Sequence, residues 1–313
     1  MKLNGFFSLD EIPMKNNEDI KSSYDVEKVM NMIREINYEK EIDNLKEGFF
    51  SNLSHEFLTP LNMILSVVQH LEQKLYSQEV DNIDEIYVED IKHIRRNALR
   101  LLKISNNFID LTKIQTSSYN YAPKNHDIVR FIEKICESVN SYRNFNGIKI
   151  VFDTYIEELI VKFDFFKLER CVLNIISNAI KFSNPNDVVL VSLTSSLDHV
   201  EISIKDNGVG IAKKKIDDIF NIFSDIESRL IKHSEGSGVG LAISKYFVKM
   251  HGGDILANST EGTGSQFIIR IPNIKNRYEK IDYSYEKIEI NSIHSIEMEL
   301  SDIYDYSDSY KDK

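Results

Sequence analysis

Apolar residues in the first third of the chain recur at steps of three and four. Leu45, Phe49, Leu53, Phe57, Leu61, Ile64, Val68, Leu71 and Leu75 form one such series. At 3.6 residues per turn they share one face, so the spacing predicts a helix from about 38 to 78, roughly eleven turns long. The polar stretch "SQEVDNIDE" interrupts it. A second series then runs through Tyr87, Ile91, Ile94, Ala98, Leu101 and Phe108, predicting a helix that reaches about 116. Two long helices joined by a short loop make an antiparallel hairpin. A lone hairpin leaves both stripes bare, and pairing two copies into a dimeric four-helix bundle covers them.

Beyond this point the pattern changes. "TSSYNYAPKNHD" (116–127) reads as a linker. "IKIVFDTY" and "LIVKFD" read as strands, 164–182 as a helix, and "VVLVSLTSS" and "HVEISIKD" alternate as strands again. A glycine-rich region covers 206–240, a helix follows to about 251, and "DILANST" and "SQFIIRI" are the last strands of the series. Antiparallel-looking strands with helices between them predict an α/β sandwich, giving an α+β chain overall. The expected organisation is a polar N-terminal segment at 1–37, the hairpin at 38–118, the sandwich at 119–273 and an extension at 274–313. That extension carries 6 Lys/Arg, 10 Asp/Glu and 6 of the chain's 15 Tyr. Its alternation around "YEKIEINSIHSIEMEL" suggests a hairpin or edge strand, with disorder expected after about 304.

Composition narrows the function classes. The 313 residues are 42% hydrophobic and 28% charged, with a formal net charge of −11. That is globular, and too acidic to expect a nucleic-acid partner, which needs clustered Lys and Arg. Two cysteines, Cys136 and Cys171, lie in helical-looking segments outside any CxxC arrangement, as expected of buried reduced thiols in a cytoplasmic protein. No apolar run approaches the ~20 residues of a membrane span, so no membrane insertion by this chain is expected.

Three motifs carry chemistry. In "CVLNIISNAIKFS", Asn174, Asn178 and Lys181 stand at i, i+4 and i+7, on one helical face opposite Val172, Ile176 and Ala179. Amide oxygens ligate hard cations and a lysine meets phosphate, although the same face also suits simple solvation. In "IKDNGVGI", Asp206 ends a strand and Gly208 and Gly210 follow. The carboxylate either accepts from an adenine amino group or makes an Asx turn. In "EGSGVGLAISKYF", Gly236, Gly238 and Gly240 run straight into a helix, as a phosphate-holding N-terminus or as a hinge. Their spacing is not that of the dinucleotide fingerprint, and the chain contains no GxxxxGK[ST] loop. Between 211 and 236, Phe220 and Phe223 either anchor a mobile lid or are plain core.

The order of these motifs resembles that of the sensor histidine kinases of two-component signalling. "FFSNLSHEFLTPLN" resembles their H box, "NIISNAIKF" the N box, "DNGVGI" the G1 box, "IFNIFSDIE" the F box, "EGSGVGLAI" the G2 box and "GTGSQFII" the last glycine motif. The resemblance covers about 40–273. It implies a dimerisation and phosphotransfer hairpin followed by a Bergerat-type ATP-binding domain, the fold shared with gyrase. It further implies ATP and Mg²⁺ as cofactors, a homodimer, and a response regulator receiver domain on a separate chain as partner. By the same resemblance His55 is the phosphoacceptor, Glu56 its acid/base, and Thr59 places water for dephosphorylating the regulator. Asn178 would ligate Mg²⁺ with Asn174 in support, and Lys181 would meet phosphate. Asp206 would accept from adenine, with Ser265 helping through water, and Gly208, Gly210, Gly236, Gly238 and Gly240 would frame the phosphates and lid. Leu58 departs from the family, which commonly has Arg or Lys there. Two alternatives stand beside the kinase. One is a non-catalytic phosphotransfer or scaffold protein with a degenerate nucleotide domain. The other is a gyrase-like ATPase, which needs a general-base Glu where this chain has Asn174.

Overall fold

The computed structural model describes residues 57–71, 83–116, 118–142, 145–221, 238–282 and 289–303. Residues 57–71 are helical (α1), and α2 spans Ile83–Gln115. These are the two arms of the hairpin. The remainder of the first predicted helix lies outside the described residues. No helix among the described residues is long and apolar enough to cross a membrane.

The buried stripe of α2 differs from the apolar one. Asn97, Arg100, Ile104, Asn107 and Leu111 are buried, whereas Ile91 and Phe108 are 58% and 38% exposed. The two stripes are roughly a third of a turn apart at 100° per residue. The covered face is the polar one because it meets hydrogen-bonding side chains from later elements, which a search for apolar spacing passes over. The apolar face stays bare, as do Leu61, Met63 and Val68 on α1.

After α2 come β1 (Lys124–Asp127), α3 (Ile128–Tyr142), β2 (Lys149–Asp153), β3 (Ile160–Phe163), α4 (Phe165–Phe182), β4 (Val188–Ser195) and β5 (His199–Lys205). A short 3₁₀ turn at Lys213–Lys215 precedes α5 (Gly240–Met250), β6 (Asp254–Thr260), β7 (Gly264–Pro272) and α6 (Glu289–Glu299). Five strands form one sheet in the order β2-β4-β5-β7-β6. The antiparallel expectation holds for β4 through β7, but β2 pairs with β4 in parallel, so the sheet is mixed. β1 and β3 form a separate antiparallel pair, so part of the predicted linker is a strand.

Strand alternation sets the layers. Val189, Val191 and Leu193 of β4, Val200, Ile202 and Ile204 of β5, and Phe267, Ile269 and Ile271 of β7 are buried. Val188 and Leu190 face the other way and are exposed. A period of two puts one face of each strand into the core under the helices. α4 starts at Asp164, whose side chain accepts from the Lys167 amide at 3.3 Å and from the Ala122 amide at 3.0 Å. Its N–H in turn donates to Nε2 of buried His251 at 3.0 Å. Cys136 and Cys171 are free and buried, and burial pushes both thiols up to about 12.

The extension also differs from expectation. Residues 289–299 are a helix, not a hairpin or edge strand. Ile296, Leu300 and Ile303 are buried, and their spacing of four and three is helical. The apparent alternation around residue 290 obscured that spacing. Residues 304–313 lie outside the described residues.

Candidate functional site

The site is assembled where the C-terminal half of α4, the loop after β5, the start of α5 and the start of β7 meet. α4 is core on one face because Leu168, Val172, Ile176 and Ala179 are buried. Its remaining face carries Asn174, Asn178 and Lys181. Asn174 is buried, and its amide nitrogen donates to Ser244 Oγ at 3.0 Å. Ser244 in turn donates to the Gly240 carbonyl at 2.9 Å. A Cβ on Gly240 would stand 2.4 Å from Asn174 Oδ1, so any larger residue would displace that amide from between α4 and α5. Asn178 and Lys181 are half-buried on the same side of α4.

The loop after β5 makes the opposite wall. Asp206 is buried, and its Oδ1 accepts from the amides of Gly208 at 2.9 Å and Ser265 at 3.1 Å. The first of these bonds is the Asx turn, so the structural reading of "DNG" holds. Both bonds go to Oδ1, which leaves Oδ2 to accept from a further donor. Burial pushes this carboxyl above the usual carboxylate range, against the pull of the two amide bonds. Val209 N donates to the Phe182 carbonyl at 3.2 Å, tying this loop to the end of α4. Gly210 has φ of 67°, the left-handed region that glycine occupies without strain. Ser265 Oγ is 3.0 Å from Ser259 Oγ, and Ser259 also accepts from the Ile211 amide at 2.8 Å.

α5 opens without a side-chain cap, since Val239 supplies none. The first N–H groups of a helix have no partner within it and attract anions. Phe220 is core, buried and edge-on to Phe267 at 6.3 Å. Gly238 and Gly240 lie at the start of α5. Gly236, Phe223 and the rest of the predicted lid from 222 onward fall outside the described residues, as do His55 and Glu56. Thr59 is exposed on α1, Leu58 is half-exposed beside it, and Pro60 is buried. Among the described residues no cluster of His, Cys, Asp or Glu is arranged to hold a metal ion, so a cation here would rely on amide oxygens. Sequence reasoning passed over Ser244 and Ser259. Ser244 stands four residues after Gly240, and Ser259 faces Ser265 in the β6–β7 register. Those two spacings were the available signals.

Residues 45–117 match the family described as "His Kinase A (phospho-acceptor) domain". Residues 164–275 match "Histidine kinase-, DNA gyrase B-, and HSP90-like ATPase". The chain belongs to the histidine kinases. Within the family it is 31% identical over 236 residues to histidine kinase P4 of Formosa agariphila, covering 74% of this chain and 17% of that protein. It is 28% identical over 243 residues to the sensor histidine kinase WalK of Bacillus subtilis, covering 77% of this chain and 39% of that one. Two solved structures share the fold. Full-length ShkA in complex with AMPPNP has a TM-score of 0.52 and 23% identity, over 71% of this chain and 45% of that one. Histidine kinase ThkA in complex with the response regulator TrrA has a TM-score of 0.51 and 18% identity, over 82% of this chain and 68% of that one.

Proposed function

We propose that this chain is an ATP-dependent protein histidine kinase. It phosphorylates its own His55 and passes the phosphoryl group to an aspartate of a separate response regulator, with phosphatase activity toward that regulator. The observation that supports this best is the meeting of complementary groups at one site. Asn178 offers a hard oxygen and Lys181 a cation. Asp206 offers a buried carboxylate oxygen, and α5 offers uncapped N–H groups. Together they suit adenine at one end and phosphates at the other. AMPPNP and a response regulator are the ligands named for the two fold neighbours.

In this reading Asp206 Oδ2 accepts from the adenine amino group, and Ser265 backs it. Lys181 and the α5 terminus meet the phosphates, with Gly208, Gly210, Gly236, Gly238 and Gly240 allowing close approach. The donor set fits Mg²⁺ through Asn178, while Asn174, whose nitrogen is committed to Ser244, positions α4 against α5. Bound Mg²⁺ would offset phosphate charge during transfer. A neutral imidazole nitrogen of His55 attacks the γ-phosphorus. The P–N bond forms as the P–O bond to ADP breaks, and Glu56 takes the ring proton. Thr59, four residues after His55 in sequence, orients water for dephosphorylating the regulator. The bare apolar stripes of α1 and α2 support a homodimer.

Incubation with γ-labelled ATP and Mg²⁺ should give acid-labile, base-stable label on the protein. His55→Gln should abolish it, and label that survives this substitution overturns the assignment.

A further inference from the structure

The C-terminal helix does not serve the site just described, yet it touches it. Three acceptor groups on α6 and the turn after it each bridge α2 to α4. The Glu299 carbonyl accepts from Lys103 Nζ of α2 at 2.6 Å and from Ser177 Oγ of α4 at 3.0 Å. The Glu299 carboxylate lies 3.4 Å from Lys103 and 3.4 Å from Arg170 of α4. The Asp302 carboxylate lies 2.8 Å from Lys103 and 4.0 Å from Lys181. Further along α2, Arg95 donates to both oxygens of Glu297 at 2.8 Å. Ile296, Leu300 and Ile303 fill the space beneath.

These contacts hold against their own desolvation. Burial pulls Lys103 down, yet the charges of Asp302 and Glu299 bring it above the ordinary lysine value. Burial would raise Asp302, yet Lys103 and Lys181 hold it below the usual carboxylate range.

A second joint lies near the end of α2, where Arg170 pairs with Asp110 and donates to Asn107 Oδ1 at 2.7 Å. One joint alone is a hinge. Arg95 and Asp110 are about 22 Å apart along a helix at 1.5 Å per residue, so two joints fix the sheet domain against α2. A histidine that must first meet a nucleotide on that domain, and afterwards a partner protein, needs the domain to move.

We propose that α6 and its following turn form an autoinhibitory strap. The strap locks the nucleotide domain to α2, and Asp302 takes the position beside Lys181 that a nucleotide phosphate would claim. Nucleotide and strap then compete for Lys181, and loading the site weakens the strap. This rests on the reading of Lys181 as a phosphate contact.

The test uses the full chain with AMPPNP and Mg²⁺ as probe. Asp302→Asn should tighten AMPPNP binding about fivefold, the size of one partly screened ion pair, and raise the initial rate of labelling. Hydrogen exchange of residues 289–303 in the unsubstituted chain should quicken when AMPPNP saturates it. If AMPPNP binds but leaves exchange of 289–303 unchanged, or if Asp302→Asn binds no more tightly, the strap is overturned while the site stands. If calorimetry finds no AMPPNP binding at all, the site reading falls and takes the competition with it.

Discussion

Asp206→Asn separates the chemistry of the nucleotide site from the stability of the fold. The parent carboxylate is buried and accepts two backbone amides through Oδ1. An asparagine oxygen accepts the same two donors, so the loop after β5 keeps its turn. The amide also removes a buried charge, which offsets the weaker hydrogen bonds. Thermal melting should therefore stay within about 4 °C of the parent. Binding should respond differently. The second oxygen becomes an NH₂ group, a donor facing the donating amino group of adenine. A hydrogen bond to a charged acceptor contributes about 1.5–3 kcal/mol, so calorimetry should show AMPPNP affinity falling between about 10- and 150-fold.

The pH dependence has a fixed sign. Because burial raises this carboxyl in the folded state, proton binding favours folding below the unfolded value of about 3.9, and that contribution is lost as pH rises through the raised value. The substituted protein should lack this part of the acid-side slope. Parental affinity in Asp206→Asn, or a melt lower by 10 °C or more, would refute the assignment of Oδ2 to the ligand and Oδ1 to the turn.

Gly240→Ala should lower stability even though alanine normally favours a helix by up to about 1 kcal/mol. Its Cβ would stand 2.4 Å from Asn174 Oδ1, and displacing that amide costs about 1–3 kcal/mol, which a denaturant melt would register alongside weaker AMPPNP binding. Burial holds His251 below the ordinary histidine value, so the stability it supplies is present above pH 6.5 and lost as pH falls through the lowered value. His251→Asn should make melting temperature less steep between pH 8 and pH 5, and an unchanged slope would refute its part in that loss. Leu58→Lys, at a half-exposed position, should shift stability by no more than about 0.5 kcal/mol. On the proposed role of His55, it should also speed labelling in initial-rate assays, by placing a cation three residues from that ring.

The sequence announced those parts of the fold that depend on local spacing. α4, α5 and the strands of the sheet fall where their hydrophobic period places them, because burial of one face dictates both the period and the element. Asn174, Asp206 and Gly240 were visible as motif residues, but their division of labour was not. Only packing shows that Asn174 spends its nitrogen on Ser244, or that Asp206 takes two backbone amides on one oxygen. The covered face of α2 was missed because it is lined by Asn97, Arg100 and Asn107. It is buried by hydrogen bonds to elements some sixty to two hundred residues away. The parallel pairing of β2 with β4 was likewise hidden, since strand direction is set by the crossover between the strands and not by their composition.

The place of β7 in the sheet has a consequence for how the domain can be divided. It lies between β5 and β6, although it is the last strand in sequence among the described residues. Every residue of β5 from His199 to Lys205 has its partner there, and so does the second wall of the carboxylate site, through Ser265. A fragment ending before 264 would therefore not retain half a site. It would present β5 as a bare edge of seven residues, open to pairing with any neighbouring strand. Circular permutation in the turn between β6 and β7 would separate the same partners in order while keeping them on one chain. Cutting there removes them altogether. The sheet thus stands or falls as one folding unit, and fusion boundaries belong beyond Pro272.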